Sequence, residues 1–220
     1  MPKNANRMVV EGEDDKFAII ELMGHHTDWS DDKRLAPVWL EAVGDPDSML
    51  KEVYIPTKLN ESGTKTLGVV FDADENFDGR WNRVRQICAG LFQNVPLEMP
   101  TGGLILQDEP QGQRLGIWIM PNNASPGMLE TFLRTLIGAQ HAPLATYAET
   151  VVIEARRRGA ACKDVHTAKS NIHTWLAWQD PPGQPFGRAI TALTLDPHAG
   201  LATPFVNWFR TLYDLKPKSA

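Results

Sequence analysis

The chain has 220 residues, of which 42% are hydrophobic and 22% charged, and its formal net charge at pH 7 is −5. This length allows one sizeable core, so we predict a single elaborated domain over residues 1–220. The acidic balance argues against a nucleic-acid coat protein, and the lack of a long apolar stretch excludes a membrane partner. The first ten residues lack the apolar core of a signal peptide, so a cytoplasmic location is expected.

Three strand and helix units are predicted in the first ninety residues. Short apolar runs alternate there with helical spacing, a pattern typical of βαβ units and a parallel sheet. The run at 67–71 is uninterrupted and rich in β-formers, as expected of a central strand covered on both faces. The predicted strands are 7–10, 37–43 and 67–71, and the predicted helices are 14–25, 47–53 and 80–92.

The rest of the chain predicts a hairpin followed by helices. Two apolar strands, 103–107 and 114–120, flank the polar, turn-forming sequence DEPQGQ, which indicates a hairpin that extends the sheet. Further helices are predicted at 126–137, 145–158, 165–178 and 205–213. The predicted fold class is therefore α/β, with a parallel sheet flanked by helices, a hairpin extension and additional C-terminal helices.

Acidic residues follow two of the predicted strands. Glu11 ends the first strand, and Asp72 and Asp74 follow the strand at 67–71. The carboxyl ends of parallel strands form the edge at which ligands bind, and alternate spacing points both aspartates to the same side. Like charges placed in this way repel unless a cation relieves them, and hard oxygen ligands favour Mg²⁺ or Mn²⁺. The alternative role for the two aspartates is to cap the loop before the next helix.

The sequences VVEGEDD, around Glu11, and VVFDAD, around Asp72 and Asp74, resemble the first and second motifs of the Toprim domain. This Rossmann-like domain is shared by topoisomerases, bacterial primases and a group of nucleases. The resemblance implies a Toprim core over about 7–140 and a helical extension over about 141–220. It also implies that Glu11 is the general acid or base and that the aspartates hold a metal ion.

Further blocks of the chain, among them LGIWIMPNN, PGMLE and NIHTWLAWQDPPG, resemble a bacterial Toprim-like family of otherwise unknown function. That family is related to the nuclease domain of the overcoming-lysogenization-defect (OLD) proteins. The resemblance implies Asp15 and Glu130 as additional metal ligands and Lys169 as a catalytic lysine. Glu130 and Lys169 have alternative interpretations as a solvated helical carboxylate and a surface lysine.

These assignments suit a two-metal centre. Two divalent ions can bind the attacking and leaving oxygens of a phosphoryl displacement, while a lysine counters charge that develops on the phosphate. Glu11, Asp15 and Asp74 would hold or bridge one ion, Asp72 and Glu130 would hold the other, and Lys169 would serve as the cation.

Positive charge is concentrated in the sequence EARRRGAACK. Its basic residues are predicted to contact a phosphate backbone, although cations also suit the C-terminus of any helix. These residues are Arg156, Arg157, Arg158 and Lys163. The tryptophans at 118, 175, 178 and 208 recur at apolar positions and are predicted to pack in the core.

The sequence therefore predicts a metal-dependent nuclease that cuts DNA or RNA. The family context implies a role in anti-phage defence beside an ABC-type ATPase partner, because the chain has no GxxxxGK[ST] motif of its own. A topoisomerase and a primase are disfavoured because no strand-passage domain or cysteine-rich zinc module accompanies the motifs. The alternatives are a non-catalytic Toprim scaffold that binds a partner or nucleotide and a haloacid-dehalogenase-like phosphatase. Whether the chain forms a homo-oligomer stays open.

Overall fold

The computed structural model describes residues 5–30, 32, 35–108 and 112–219. Within these residues one sheet has the strand order β2-β1-β3-β5-β4. All neighbouring strands are parallel except β4 and β5, which form an antiparallel pair. The strands are β1 (Asn6–Val10), β2 (Trp39–Ala42), β3 (Thr66–Asp72), β4 (Leu104–Asp108) and β5 (Gln113–Met120).

The sheet confirms the predicted α/β class, with a Rossmann-like, mostly parallel arrangement. The predicted pairing of the two hairpin strands is also present, whereas residues 109–111 of the predicted turn lie outside the described residues. The described helices are α1 (Glu13–His26), α2 (Pro46–Met49), α3 (Tyr54–Leu59), α4 (Phe77–Ala89), α5 (Leu129–Thr135), α6 (Ala142–Arg157), α7 (Thr167–Ala177), α8 (Phe186–Thr191) and α9 (Ala202–Tyr213).

Several helix predictions were wrong in extent. The helix predicted at 80–92 runs from Phe77 to Ala89, and the helix predicted at 47–53 ends at Met49, whereas α3, which begins at Tyr54, was not predicted. The helix predicted from residue 126 begins only at Leu129, since Gly127 has φ 140°, a conformation that interrupts a helix. The additional C-terminal helices are present, and α8 joins them without having been predicted. None of the described helices combines the length and apolar character needed to cross a membrane.

Both faces of the sheet are covered, because successive strand residues point to opposite sides. Val10 and Val70 belong to a hydrophobic core formed with α1 and α5 to α9. Val9 and Val69 belong to the core on the other face, which includes α2, α3 and α4. The helices after residue 141 thus share a core with the sheet.

Helix α9 lies directly against the sheet. A Cβ atom on Gly68 would stand 2.3 Å from the hydroxyl oxygen of Tyr213, so glycine makes the close approach possible. The Tyr213 hydroxyl donates a buried hydrogen bond of 2.6 Å to the carbonyl oxygen of Arg7 in β1. This bond connects the last helix to the first strand.

Three of the four tryptophans predicted to lie in the core do so. Trp118, Trp175 and Trp208 are no more than 2% exposed. The prediction was wrong for Trp178, which follows α7 and is 40% exposed. Its ring lies against that of Tyr147 with 5.6 Å between centroids, so the indole packs at the surface.

The sheet order creates a crevice between β1 and β3. From β1 the chain passes through α1 to β2 at one edge, whereas from β3 it passes through α4 to the hairpin at the other edge. The two connections therefore diverge from neighbouring strands. In open α/β sheets a ligand binds at this switch point, beyond the carboxyl ends of the strands.

Candidate functional site

Glu11 and Asp72 meet at the crevice between β1 and β3. Oε1 of Glu11 accepts a hydrogen bond from the backbone N–H of Asp72, with 2.9 Å between nitrogen and oxygen. Oδ1 of Asp72 in turn accepts a bond of 3.1 Å from the N–H of Leu129 at the start of α5. The two strand ends and a helix N-terminus therefore meet at one place.

Two further predicted acids are buried at the same place. Asp15 is 8% exposed and Glu130 is 6% exposed. Oδ2 of Asp15 accepts a 3.0 Å bond from the N–H of Gly12, so this carboxylate also caps α1. The alternative interpretation of Glu130 as a solvated carboxylate was wrong, because α5 buries its first turn against the cluster.

In this acidic cluster, formed by Glu11, Asp15, Asp72 and Glu130, the pKa values of Glu11, Asp15 and Asp72 are raised. Burial is the main cause and raises the pKa of Asp15 to about 7, with Glu11 and Glu130 adding to the effect. Burial and the charges of Asp15 and Glu11 hold the pKa of Asp72 well above its ordinary value. Burial also raises the pKa of Glu11, although the hydrogen bond from Asp72 opposes the shift. A divalent cation would relieve such repulsion.

Asp74 is fixed at the rim of the cluster by its backbone. Its N–H donates to the carbonyl of Gly127 at 2.9 Å, and the N–H of Gly127 donates back at 2.7 Å. Asp74 has φ 53°, in the left-handed region that aspartate tolerates better than most residues. Its carboxylate is 53% exposed and accepts a 2.5 Å hydrogen bond from Arg80 in the first turn of α4.

Lys169 brings α7 to the acidic cluster. Its Nζ lies 3.6 Å from Oε1 of Glu130 and 3.9 Å from Oδ2 of Asp14. The side chain is 48% exposed, so the ammonium group stands between the buried Glu130 and solvent. The structure thus places the predicted lysine beside one of the predicted acids, Glu130.

In the described part of the chain, no three or more Asp, Glu, His or Cys side chains are arranged to hold a metal ion. The carboxylates instead accept hydrogen bonds from backbone N–H groups and from Arg80. Their chemistry nevertheless fits a hard cation, because carboxylate oxygens are the ligands that such cations prefer, and burial and acidic neighbours raise the pKa values of Asp15 and Asp72. The residues that would hold the cation are Glu11, Asp15, Asp72, Asp74 and Glu130.

A cleft of about 630 Å³ opens on the exposed side of Asp74. Its walls come from α2 and its C-cap, the loop after β3, the first turns of α4, the segment before and into α5 and the start of α7, and the acids that line it are Asp47, Asp74, Glu75 and Asp164. Arg80 and Arg83 of α4 line it, and the sequence had not assigned either residue a role. Arg80 follows Asp74 by six residues across a turn and a helix start, so no local periodicity joins the two.

The predicted basic segment does not form one uniform surface. Arg156 is 19% exposed and binds Oδ1 of Asp164 at 3.0 Å and Oγ1 of Thr167 at 2.6 Å, which fixes the connection between α6 and α7. Arg157 and Arg158 are 75% and 78% exposed. Lys163 is also exposed. No residue of this segment, which the structure describes in full, lines the cleft, whereas the next residue along the chain, Asp164, the partner of Arg156, does line it.

Comparison with known proteins gives a family but no described relative. Neither the curated proteins nor the solved structures contain a match to this chain. The model of one family, described as "Protein of unknown function (DUF3226)", matches residues 5–214. The match spans nearly all of the sheet and helices that form the site, and the chain therefore belongs to the DUF3226 family.

Proposed function

We propose that this protein is a Toprim-type nuclease that uses Mg²⁺ or Mn²⁺ to cleave phosphodiester bonds in DNA or RNA. The observation that carries the proposal is the meeting of Glu11, Asp15, Asp72 and Glu130 at the switch point of the sheet. These acids come from the end of β1, from α1, from β3 and from α5. Burying charged carboxylates next to one another costs free energy unless a cation neutralises them. Such a cost is typical of a functional site.

The chain's own residues suit the individual steps of this reaction. Glu11, whose pKa is raised by burial, can serve as general acid or base beside the phosphate. Lys169 stands between Glu130 and solvent, where its charge can offset negative charge on the phosphate oxygens. A bound divalent cation would supply Lewis-acid stabilisation and a more acidic water molecule.

The test is cleavage of supercoiled plasmid and of labelled RNA with Mg²⁺ or Mn²⁺. Asp72→Asn keeps an oxygen that can accept the Leu129 hydrogen bond but removes the charge, so the fold should persist while cleavage falls to background. Glu13→Gln is the matched control, because Glu13 is an exposed acid in the first turn of α1. Equal cleavage by wild type and Asp72→Asn would reject the proposal.

The second candidate is a non-catalytic Toprim scaffold whose acids hold a structural or regulatory metal. The hydrogen bonds that already occupy Glu11, Asp15 and Asp72 favour it, because they give each carboxylate a structural role. Calorimetric binding of Mn²⁺ that depends on Asp72, without cleavage of any nucleic acid, would distinguish this function from the nuclease.

The proposal extends to an ABC-type ATPase as a separate partner in anti-phage defence. The chain carries no GxxxxGK[ST] sequence with which to bind ATP in this way itself. Cleavage assays with and without the ATPase encoded nearest to the gene would test this extension. Activity that requires the ATPase supports it, whereas full activity of the isolated chain removes the need for a partner.

A further inference from the structure

The cleft beside Asp74 is distinct from the acidic cluster but opens from it. Asp74, at the rim of the cluster, connects the two, since it lines the cleft and its charge raises the pKa of Glu11 and Asp72. The volume of about 630 Å³ lies within the range of roughly 300–1,000 Å³ found for ligand sites. A ligand in this cleft would therefore lie next to any cation that binds Asp74.

Arg80 is placed between Asp74 and the cleft. Its side chain is only 12% exposed, and the 2.5 Å bond to Asp74 is a short, charge-assisted hydrogen bond. A cation bound by Asp74 would compete with Arg80 for the charge of this carboxylate. The guanidinium would then need another anionic partner within reach, and the cleft is the open space beside it.

Arg83 places a second positive charge on the cleft lining, one helical turn after Arg80 on α4. Residues three apart on a helix lie on the same face, about 5–6 Å apart at Cβ, so Arg80 and Arg83 can contact groups along one strand. Arg83 is 45% exposed, and its nearest acid is Glu52, which is 78% exposed and 3.6 Å away. An exposed pair of this length contributes little, so Arg83 can exchange Glu52 for a phosphate at low cost.

The opposite wall offers contact surface for the rest of a nucleotide. Val165, at the start of the α7 wall, is apolar yet 53% exposed. Met128 and Leu50 add apolar atoms to the lining. The lining also carries the carboxylates of Asp47, Glu75 and Asp164 besides Asp74, so a strand bound there would place its phosphates at Arg80 and Arg83 and its sugars and bases at the apolar groups.

We propose that the cleft binds the phosphodiester strand next to the bond being cut, and that Arg80 and Arg83 contact its phosphates. Arg80 is shared: it binds Asp74 in the absence of metal and passes to a phosphate when a divalent cation takes Asp74. This inference rests on the proposed function in placing a cation at Asp74. In this proposal Arg80 and Arg83, rather than the exposed Arg157 and Arg158, make the main phosphate contacts.

The first test measures binding of fluorescent single-stranded 12-mers of DNA and of RNA, in Ca²⁺, by anisotropy over a range of salt concentrations. Arg83→Gln should lower the salt slope by about 0.7, the value for one lost phosphate contact on a single strand. Arg188→Gln is the matched control, an exposed arginine on α8 away from the cleft, and should keep the wild-type slope.

The second test uses Arg80→Gln, for which the shared-residue proposal predicts effects of opposite sign. By calorimetry, Ca²⁺ should bind about threefold to tenfold more tightly, because a competing charge pair is lost. The 12-mers should bind more weakly, because one phosphate contact is lost. Damage to the fold would weaken both, so weakened binding of both ligands would overturn the role given to Arg80.

The inference and the nuclease proposal fail separately. Two results would overturn the assignment of the cleft as the strand-binding site. The first is that wild type binds no strand, and the second is that the salt slope is unchanged in Arg83→Gln but reduced in the double variant Arg157→Gln/Arg158→Gln. Neither result affects the test of Asp72-dependent cleavage. Conversely, a reduced slope in Arg83→Gln combined with no cleavage by wild type would retain the strand-binding cleft and reject the nuclease.

Discussion

The carboxylate of Glu11 accepts a hydrogen bond of 2.9 Å from the backbone N–H of Asp72, a residue 61 positions later in the chain. The bond joins the ends of two neighbouring parallel strands at the point where their connections diverge. Glu11 therefore has two separable properties, an acceptor oxygen that stabilises the crevice and a charge that faces other acids.

Substitutions at Glu11 should separate these two properties. Glu11→Gln keeps an acceptor for the Asp72 N–H, whereas Glu11→Ala leaves that donor without its partner. A buried donor left unpaired costs about 1–3 kcal/mol, so thermal or urea unfolding should show Glu11→Gln to be the more stable variant by this amount. Both variants should lose cleavage. Equal stability of the two would show that the hydrogen bond is unimportant.

Asp15 should make the metal-free protein less stable as pH rises. Its pKa in the folded chain is about 7, above the ordinary value of 3.8, so the folded state binds the extra proton between these values. The stability that this proton contributes is complete below pH 3.8 and is lost as pH rises through 7. Asp15→Asn should therefore raise the melting temperature more at pH 8 than at pH 5, both measured in EDTA.

The control for this comparison is Glu13→Gln, which removes an exposed charge two residues earlier in the same helical turn. Its melting temperature should follow wild type at both pH values. A stabilisation by Asp15→Asn that is equal at pH 5 and pH 8 would contradict the raised pKa, because the protonated aspartic acid already resembles asparagine at pH 5.

Divalent cations should reverse this pH dependence. The carboxyl of Asp15, whose pKa is about 7, holds a proton at pH 6 that a cation must displace, so Ca²⁺ should bind more tightly at pH 8 than at pH 6. Calorimetry at the two pH values measures the difference, and the melting temperature in Ca²⁺ should rise more at pH 8. Asp72→Asn should remove most of this gain, whereas Glu13→Gln should retain it.

The sheet could be predicted because its strands carry strong local signals. The buried run from Leu67 to Phe71 lies in a central strand with helices on both faces, as its uninterrupted apolar sequence indicates. The short helices lacked such signals. Helix α3 contains Pro56, and α8 contains Gly187, where a Cβ would lie 3.1 Å from the carbonyl oxygen of Phe17 in α1. Tertiary packing, rather than helix propensity, explains these elements.

The acids of the site could be predicted because they follow predicted strands and because they match the motifs of the Toprim family. The basic side chains that pair with them could not be predicted. Arg80 reaches Asp74 only because a left-handed residue and a new helix turn the chain back on itself. Arg156 looked like a phosphate contact in the sequence but binds Asp164 and Thr167. Charge density along a sequence does not reveal which charges are already paired.

Gly127 should be intolerant of a side chain. It has φ 140°, and an added Cβ would lie 2.9 Å from Oγ1 of Thr131 and 3.0 Å from Cδ of Pro121. Gly127→Ala should lower the free energy of unfolding by about 1–3 kcal/mol because the backbone conformation becomes strained. It should also weaken Ca²⁺ binding, since the bridge to Asp74 is displaced. Gly24→Ala, where no atom lies within 4 Å, is the control.

Lys169 should matter for cleavage and little for stability. Its side chain is 48% exposed and its closest carboxylate contact is 3.6 Å, so Lys169→Gln should change the free energy of unfolding by no more than about 1 kcal/mol. If its charge offsets charge on the phosphate, kcat should fall about 10²-fold, as when one preorganised donor is removed from an active site.

Two further variants serve as controls for Lys169→Gln. Lys169→Arg keeps the positive charge beside Glu130 and should recover part of kcat, whereas Lys216→Gln, an exposed lysine beyond α9, should leave kcat at the wild-type value. A loss of cleavage in Lys169→Gln that appears only in KM would place Lys169 in substrate binding instead. Wild-type kcat and KM in Lys169→Gln would make it a surface lysine whose position beside the acidic cluster has no catalytic consequence.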